Sequence, residues 1–380
     1  MHATAIAQPN IALIKYWGKR NVSRNLPAVG SISITLSDLY TEVSIDFSSG
    51  LSQDELVVNG KRNIEMLPRI SACIDSVAGG DRCRVRVSSK SNFPIAAGLA
   101  SSASAFAATT VAIAGAAGLS FSTSELAKLA GQASGSAARS LYGGFAELKN
   151  SGENIEVTSL CSDDSWPIQV IVAITETGQK AVGSTVAMEF SRKTSPFYKS
   201  WIAQQDKDLD SARLAIDRRD FDGLATVAEH NCLKMHSVMW TSRPSLVYWN
   251  SATIACMQRI RRLQEDGCKV FFTIDAGPQV KAVCLPEYAI DVREALKKTP
   301  GVQQVMVSGL GTAARLIESS RLRPFSWLAQ SACMRCLCSL ACSFLSSSAA
   351  ILCRCSTLLI PTWLRPIPNL SGSFGFSGTS

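Results

Sequence analysis

Histidine is scarce in this 380-residue chain, which contains only His2, His230 and His236. Acid or base catalysis by histidine therefore has few candidates, and we expect His236, in a KMHS stretch, to be structural. The chain also lacks a lysine and arginine stripe interleaved with aromatic residues, so we expect no nucleic-acid partner. Its start, MHATAIAQPNIALIKYW, has no charged segment followed by a long apolar run, which argues against a secretory signal. We expect a cytoplasmic protein.

Paired cysteine spacings are also missing from most of the chain. Of the thirteen cysteines, the seven from Cys73 to Cys284 stand singly, which indicates small buried hydrophobic residues in a reducing compartment. The formal charge of +8 includes five arginines in a tail without acids, so removing those five leaves +3 for the rest of the chain. This balance fits an anionic small substrate better than a polyanion.

The tail, residues 319–380, is rich in serine and has six cysteines between Cys333 and Cys355. Three interpretations compete. A zinc site could use Cys333, Cys336 and Cys338, but no histidine lies nearby. A membrane segment over 336–353 would contain five serines. We favour the third interpretation, an atypical and irregular appendage, and expect no membrane association.

Up to about residue 318, short β-rich runs alternate with helical stretches, which predicts a mixed α/β fold. The patterns predict strands over 41–47, 84–88, 168–174 and 269–274, and helices over 101–117, 122–133, 198–218 and 251–265. Ser122 and Glu125 have the spacing of a capping box at the start of the second helix. A composition change over 175–186 marks a domain junction, which predicts domains over 1–185 and 186–318 before the tail.

The segment SNFPIAAGLASSASAFAA, residues 91–108, has the features of a phosphate-binding loop. Gly98 permits a tight turn, and the start of the following alanine-rich helix attracts anions. Ser101 and Ser102 could reach a phosphoryl oxygen or Mg²⁺. The spacing of a Walker loop is absent. Close packing of a small-residue helix remains an alternative explanation.

Three other segments supply charged side chains. In GQASGSAARSLYGG, residues 131–144, Arg139 offers a planar fork suited to a carboxylate or phosphate, although an ordinary ion pair is equally compatible. In NIALIKYWGKR, residues 10–20, Lys15 and Lys19 could face an anion or simply be solvated. In KVFFTIDAGPQV, residues 269–280, Asp275 lies at the end of an apolar run. This position suits a catalytic carboxylate, but also an aspartate that caps a turn.

These four segments, in the order in which they follow one another along the chain, closely resemble mevalonate diphosphate decarboxylases. Those enzymes are members of the superfamily of galactokinase, homoserine kinase, mevalonate kinase and phosphomevalonate kinase (GHMP kinases). The resemblance covers residues 1 to about 318 and includes SISITL at 31–36, TSPFY at 194–198 and VSGLGTAARLI at 307–317. It implies an α/β (α+β) fold of two domains with the active site in the cleft between them. The chain departs from the family pattern at Val29 and Gly30, where the family has asparagine and a small polar residue.

The resemblance also implies a reaction: ATP phosphorylates the tertiary 3-hydroxyl of mevalonate 5-diphosphate, and loss of that phosphate and of CO₂ gives isopentenyl diphosphate. The catalytic residues that it implies are Asp275, Lys15 and Arg139. Those implied for the substrate are Tyr16, Lys19, Ser134, Ser136 and Ser195. Those implied for ATP are Ala97, Gly98, Leu99, Ala100, Ser101, Ser102 and Ser104, with Ser101 or Ser102 near Mg²⁺.

Four alternatives to this reaction share most of these features. They are a GHMP-type kinase that does not decarboxylate, decarboxylases of mevalonate 5-phosphate or of the 3,5-bisphosphate, and an inactive ligand-sensing relative. The presence of Lys15, Arg139 and Asp275 together argues against the sensor, because a sensor does not need all three. We expect a homodimer, the commonest symmetric assembly.

Overall fold

A computed structural model describes residues 1–48, 50–94, 100–178 and 182–320. All of them lie in the first of two compact units, which spans residues 1–324. Sixteen strands and eight α-helices alternate along the described residues, and the predicted α/β class is confirmed. The division at residue 185 stays a prediction, and the expectations for residues 321–380 lie outside the described residues.

The strands are β1 His2–Ala7, β2 Asn10–Ile14, β3 Lys19–Asn21, β4 Leu26–Pro27, β5 Ser31–Thr35, β6 Thr41–Ser48, β7 Glu55–Val58, β8 Lys61–Arg62, β9 Arg84–Ser91, β10 Phe145–Ser151, β11 Asn154–Cys161, β12 Gln169–Ile174, β13 Val270–Ile274, β14 Val280–Cys284, β15 Gln304–Ser308 and β16 Arg315–Ser320. The helices are α1 Leu67–Ala78, α2 Ser101–Ala117, α3 Thr123–Ala133, α4 Ser184–Thr194, α5 Tyr198–Arg218, α6 Phe221–Trp240, α7 Ser251–Glu265 and α8 Ala289–Lys297.

All the predicted elements are present. Helices α2, α5 and α7 have the predicted bounds, and the four predicted strands appear as β6, β9, β12 and β13 with ends shifted by one to three residues. Helix α3 begins after its N-cap Ser122, whose side chain accepts a hydrogen bond from the backbone N–H of Glu125 while the Glu125 carboxylate accepts one from Ser122. This reciprocal cap satisfies N–H groups that a helix start otherwise leaves unpaired.

A six-stranded sheet in the order β16-β1-β6-β9-β7-β8 packs against α2, and α1 and α3 contact α2 in the same apolar core. Helix α2 is buried almost all round because its alanines allow β1 and β6 to approach closely. At Gly115 the helix also lies close to β16, since a Cβ atom there would lie 2.6 Å from Leu316. This packing fixes the position of the α2 N-terminus.

Two four-stranded sheets, β11-β10-β5-β2 and β13-β14-β12-β15, share an apolar core with α5 and α6. Ile11, Phe145 and Phe271 are fully buried in it. Helices α7 and α8 cover the opposite face of the β13-β14-β12-β15 sheet. This shared core brings the ends of β2 and β13 together, where the charged residues described below lie.

The seven described cysteines are free thiols, four of them buried and three partly buried, in keeping with their interpretation as small hydrophobic residues. Along the part of the chain that the structure describes, no helix has both the length and the apolar character needed to cross a membrane.

Candidate active site

An ion pair between Lys15 and Asp275 joins the ends of β2 and β13. Lys15 Nζ donates to Asp275 Oδ1 at 2.7 Å and to the Ala12 carbonyl at 2.9 Å, and Thr273 donates to the same carbonyl at 3.1 Å. The Lys15 side chain is 1% exposed, whereas that of Asp275 is 24% exposed. The Lys15 ammonium is therefore enclosed by protein, whereas part of the Asp275 side chain reaches the surface.

A second lysine, Lys281, faces the other oxygen of the same carboxylate. It is fully buried on β14, and its Nζ lies 3.2 Å from Asp275 Oδ2. Oδ2 accepts no hydrogen bond from the residues that the structure describes. Sequence reasoning missed Lys281, although a lysine inside the apolar strand VKAVC was a signal that something buried pairs with it.

Burial alone would raise the pKa of Asp275, but the charges of Lys15 and Lys281 outweigh it and hold this pKa below its ordinary value. Burial lowers the pKa of Lys281, and Asp275 opposes that shift. Asp275 is therefore a carboxylate at neutral pH.

Arg139 is a buried cation whose hydrogen-bond partners are all neutral. It lies in a 3₁₀ turn, Ala137–Leu141, is 2% exposed, and donates to Ser31, to Ser33 at 2.8 Å and to Asn10 Oδ1 at 3.2 Å. No carboxylate of the described residues lies within ion-pair distance. Burial lowers its pKa to about 10, so it stays charged at pH 7. A buried guanidinium without an anion is suited to a carboxylate on a ligand.

Asn10, Ser31 and Ser33 had no assigned role at the level of sequence. Ser31 and Ser33 stand two apart on β5, so both side chains project from the same face, toward Arg139. The alternating serines of SISITL were the signal for this polar face in an otherwise buried strand.

The backbone of Lys15 is fixed by amide side chains from α5 and α6. Asn231 Oδ1 accepts from the Lys15 N–H at 2.8 Å, and Gln205 donates to the Lys15 carbonyl at 2.8 Å. The Asn231 amide also donates to Gln205 at 3.0 Å and to Asp208 at 2.6 Å. All three side chains are buried, so this network determines where the Lys15 ammonium can reach.

The departure at Val29 and Gly30 fits the same contact between β5 and α5. Val29 is buried in an apolar cluster with Trp17 and Trp201. Gly30 accepts a hydrogen bond from Gln205 at 3.1 Å, and a Cβ atom at this position would lie 2.8 Å from Leu209. Glycine therefore allows α5 to approach the strand that carries Ser31.

Tyr16 lies across the segment that holds Ser134 and Ser136. A Cβ atom on the intervening Gly135 would lie 2.5 Å from the Tyr16 hydroxyl, so a side chain at this position would displace the Tyr16 ring. The two serine hydroxyls are 3.5 Å apart. The buried Tyr16 hydroxyl has no hydrogen-bond partner within the described ranges, and burial raises its pKa. It is a protonated donor available to a ligand.

Lys19 is a second buried cation of this region without a carboxylate at ion-pair distance in the described parts. It is 8% exposed and donates to Thr185 at 2.9 Å. Burial lowers the pKa of Lys19, and the nearby charge of Arg69 lowers it further. The charge of Glu189 opposes this shift. Arg69 was missed by sequence reasoning. Ser195 is hydrogen-bonded to Thr241 at 2.7 Å rather than to Tyr16, Lys19 or Ser136.

The predicted phosphate loop is described only from Ala100 onward; Ala97, Gly98 and Leu99 lie outside the described residues. Ala100 precedes α2 in the left-handed conformation, with φ of 53°, and the first turn contains no acid. Ser101 and Ser102 are partly exposed on that turn. Ser104 is fully buried and its hydroxyl lies 2.8 Å from that of Thr41, so it faces the sheet. A helix start of this kind attracts phosphate.

Histidine contributes no charge to the site. His236 is fully buried, its Nε2 lies 3.1 Å from the Ile274 carbonyl oxygen, and burial lowers its pKa to about 3. It is neutral at pH 7, as a structural role requires. Over the described ranges, no three His, Cys, Asp or Glu side chains meet as a metal site would need.

Comparison with known proteins agrees with this arrangement. Residues 7–161 match a sequence model of the diphosphomevalonate decarboxylase-like N-terminal domain, and residues 170–316 match the mevalonate 5-diphosphate decarboxylase C-terminal domain. A diphosphomevalonate decarboxylase of Candida albicans is 32% identical over 300 residues, which cover 73% of this chain and 83% of that one. The chain belongs to the diphosphomevalonate decarboxylase family.

Solved structures of the family share the fold. Mevalonate diphosphate decarboxylase from Staphylococcus aureus is 35% identical, with a TM-score of 0.78 over 83% of this chain and 98% of that one. A structure called MDDEF, solved with MVAPP, AMPPCP and magnesium, is 32% identical, with a TM-score of 0.78 over 84% of this chain and 99% of that one. The likeness thus extends over nearly the whole of both family structures.

Proposed function

We propose that this family member catalyses the ATP-dependent decarboxylation of mevalonate 5-diphosphate to isopentenyl diphosphate, with release of ADP, phosphate and CO₂. The observation that carries the proposal is the joint presence of the Lys15–Asp275 pair and the anion-free guanidinium of Arg139. A kinase needs a group that orients a hydroxyl; a decarboxylase also needs one that holds a carboxylate.

In the first step, Asp275 orients the 3-hydroxyl and accepts its proton while the γ-phosphoryl group transfers to the oxygen. Oδ2 is assigned as the acceptor, because Lys15 occupies Oδ1 and Oδ2 accepts no hydrogen bond from the described residues, although Lys281 Nζ lies 3.2 Å from it. The rigid backbone of Lys15 keeps the carboxylate in one orientation, which favours reaction by position.

In the second step, the tertiary C–O bond breaks and positive charge develops at carbon 3. The carboxylate of Asp275 stabilises this charge. The electron pair of the bond to the substrate carboxylate then forms the double bond as CO₂ leaves. The proton taken up in the first step returns to the departing phosphate, so the protons balance over the two steps.

The other end of the substrate is assigned to Tyr16, Lys19, Ser134, Ser136 and Ser195. The support is strongest for Lys19 and Tyr16. Lys19 is a buried cation with no carboxylate at ion-pair distance in the described residues, and the buried Tyr16 hydroxyl has no hydrogen-bond partner there. Binding energy from this remote diphosphate can be used at the reacting carbon. Ser195 could take part only if its hydroxyl exchanged Thr241 for the ligand.

ATP is assigned to residues 97–104, with its phosphates at the start of α2. Ala100, Ser101 and Ser102 fit this assignment because the first turn carries no acid. Ser101 or Ser102 would hold Mg²⁺, which neutralises charge on the transferring phosphates. Ser104 would support the loop from beneath, since its hydroxyl is engaged with Thr41. We further propose a cytoplasmic homodimer.

The test is the stoichiometry of the purified chain with ATP, Mg²⁺ and mevalonate 5-diphosphate. We expect ADP and CO₂ in equal amounts, and little CO₂ from mevalonate 5-phosphate supplied in a parallel reaction. ADP without CO₂ would instead establish a kinase, and preference for the monophosphate would change the substrate. Omission of mevalonate 5-diphosphate is the control that measures background ATP hydrolysis.

A further inference from the structure

Lys281 is the charged group nearest the reacting centre that the proposed mechanism has not used. It lies on β14, an interior strand, opposite Val172 of β12 and Thr273 of β13. On the same strand, Val283 packs into the apolar core with Phe271. A lysine in such a position is costly to bury unless its charge is compensated.

Lys281 is the second lysine that faces the carboxylate of Asp275. Lys15 already donates to this carboxylate at 2.7 Å, so one positive charge compensates the one negative charge. With Lys281 at 3.2 Å from Oδ2, two ammonium groups face a single carboxylate. Apolar residues usually stabilise a buried position as well as a charge does. The second ammonium group at this carboxylate therefore calls for an explanation in the chemistry.

We infer that Lys281 is a positioning residue that, with Lys15, returns Asp275 to its ionised form between phosphoryl transfer and decarboxylation. The inference rests on the proposed function. In the first step the hydroxyl proton passes to Asp275 and ADP leaves. For the second step, Asp275 must be negative again to face the developing positive charge at carbon 3. Its proton passes to the departing phosphate.

The two lysines favour this return because neutral Asp275 leaves two ammonium groups facing each other across it. Loss of its proton restores an anion between them. The other titratable groups around the carboxylate are Arg139 from the 3₁₀ turn and Cys232 and His236 from α6. Burial keeps the last two neutral, by raising the pKa of Cys232 and lowering that of His236. Only Arg139 adds charge, and it also favours the carboxylate.

The experiment compares the full chain with Lys281→Met, which keeps length and apolar volume, and Lys281→Gln, which keeps a polar end. Single-turnover reactions are quenched at intervals, and ADP and CO₂ are measured. We expect ADP to form ahead of CO₂ in both variants, because the proton stays on Asp275 and delays the second step. We also expect the acidic limb of the pH profile of kcat/KM to move up by about one pH unit.

Lys269→Met is the matched control, since it removes one charge from an exposed pair with Asp222 on the same half of the chain. It should leave both readouts unchanged. The inference is wrong if ADP and CO₂ form at the same rate in both Lys281 variants and the acidic limb of the pH profile does not move. It is also wrong if both products fall equally and that limb does not move. Circular dichroism confirms that each variant is folded.

A measurement without turnover separates this inference from the proposed function. The infrared carbonyl band of protonated Asp275, identified by its loss in Asp275→Asn, should appear at higher pH in Lys281→Met than in the unsubstituted chain. If no CO₂ forms from any substrate but the band moves, the proposed function fails while the coupling of Lys281 to Asp275 stands. An unmoved band overturns the coupling itself.

Discussion

In the proposed mechanism, Asp275 must satisfy two demands that differ in kind. As a proton acceptor it would act most strongly with a pKa near the working pH. As the counter-charge to a cation-like carbon it must be ionised. The lysines on either side place its pKa below the ordinary value, which serves the second demand. The lowered pKa of Asp275 therefore fits its proposed role in decarboxylation better than its proposed role in proton abstraction.

Replacement of Asp275 by asparagine tests this assignment at nearly constant shape. We expect kcat to fall by about 10²- to 10⁴-fold, the usual contribution of a positioned acid or base, while ATP affinity changes little. Quenched assays of CO₂ release and titration of ATP binding give the two quantities. Asp266→Asn, at the exposed end of α7, is the matched control. Activity within a few-fold of the unsubstituted chain would remove Asp275 from the mechanism.

At the level of elements, α5 and α6 act on the site through the backbone of a strand end. Neither helix supplies a charged side chain to Asp275. Gln205 and Asn231 instead hold the carbonyl and the N–H of Lys15. A strand end that was free to move would let the ammonium reach other acceptors. The helices therefore contribute precision, which a site that works by orientation requires.

Replacement of Asn231 by leucine, of similar size, tests this contribution. It leaves the Lys15 N–H and Gln205 Oε1 without their partner, whereas Asp208 keeps Lys234, and each unpaired buried group costs about 1–3 kcal/mol of folding free energy. We expect lower stability in urea unfolding and a kcat that falls more than KM rises. Asn250→Leu, which removes the α7 cap, should lower stability without this kinetic change. Equal kinetics in the two variants would contradict the prediction.

The sequence predicted the elements well because their signals are local. Alanine content, the Ser122 cap and apolar periodicity set α2, α3, α5 and α7 without reference to the rest of the chain. Lys15, Arg139 and Asp275 could be named from motifs and resemblance. Lys281 and Asn231 could not, because their importance lies in contacts across more than 200 residues or between neighbouring strands. Such contacts leave no fixed spacing in a single sequence.

For the molecule as a whole, the site concentrates positive charge in the interior. Lys15, Lys281 and Arg139 are each at most 2% exposed, and Asp275 is the one carboxylate within ion-pair distance of any of them in the described residues. The fold therefore contains buried charge that an anionic substrate would neutralise. Substrate binding should accordingly stabilise the folded chain by more than the burial of its small apolar surface would suggest.

The same interior makes stability depend on pH through His236. Its pKa is about 3 in the folded chain against an ordinary 6.5, so below pH 6.5 the unfolded chain binds a proton that the folded chain refuses. The contribution is complete above pH 6.5 and declines toward pH 3, by about 2 kcal/mol at pH 5. In urea unfolding, the free energy of unfolding of His236→Gln should therefore fall by about 2 kcal/mol less between pH 7 and pH 5 than that of the unsubstituted chain. His230→Gln, exposed on the same helix, should keep it. The same difference in both variants would mean that His236 is protonated without unfolding.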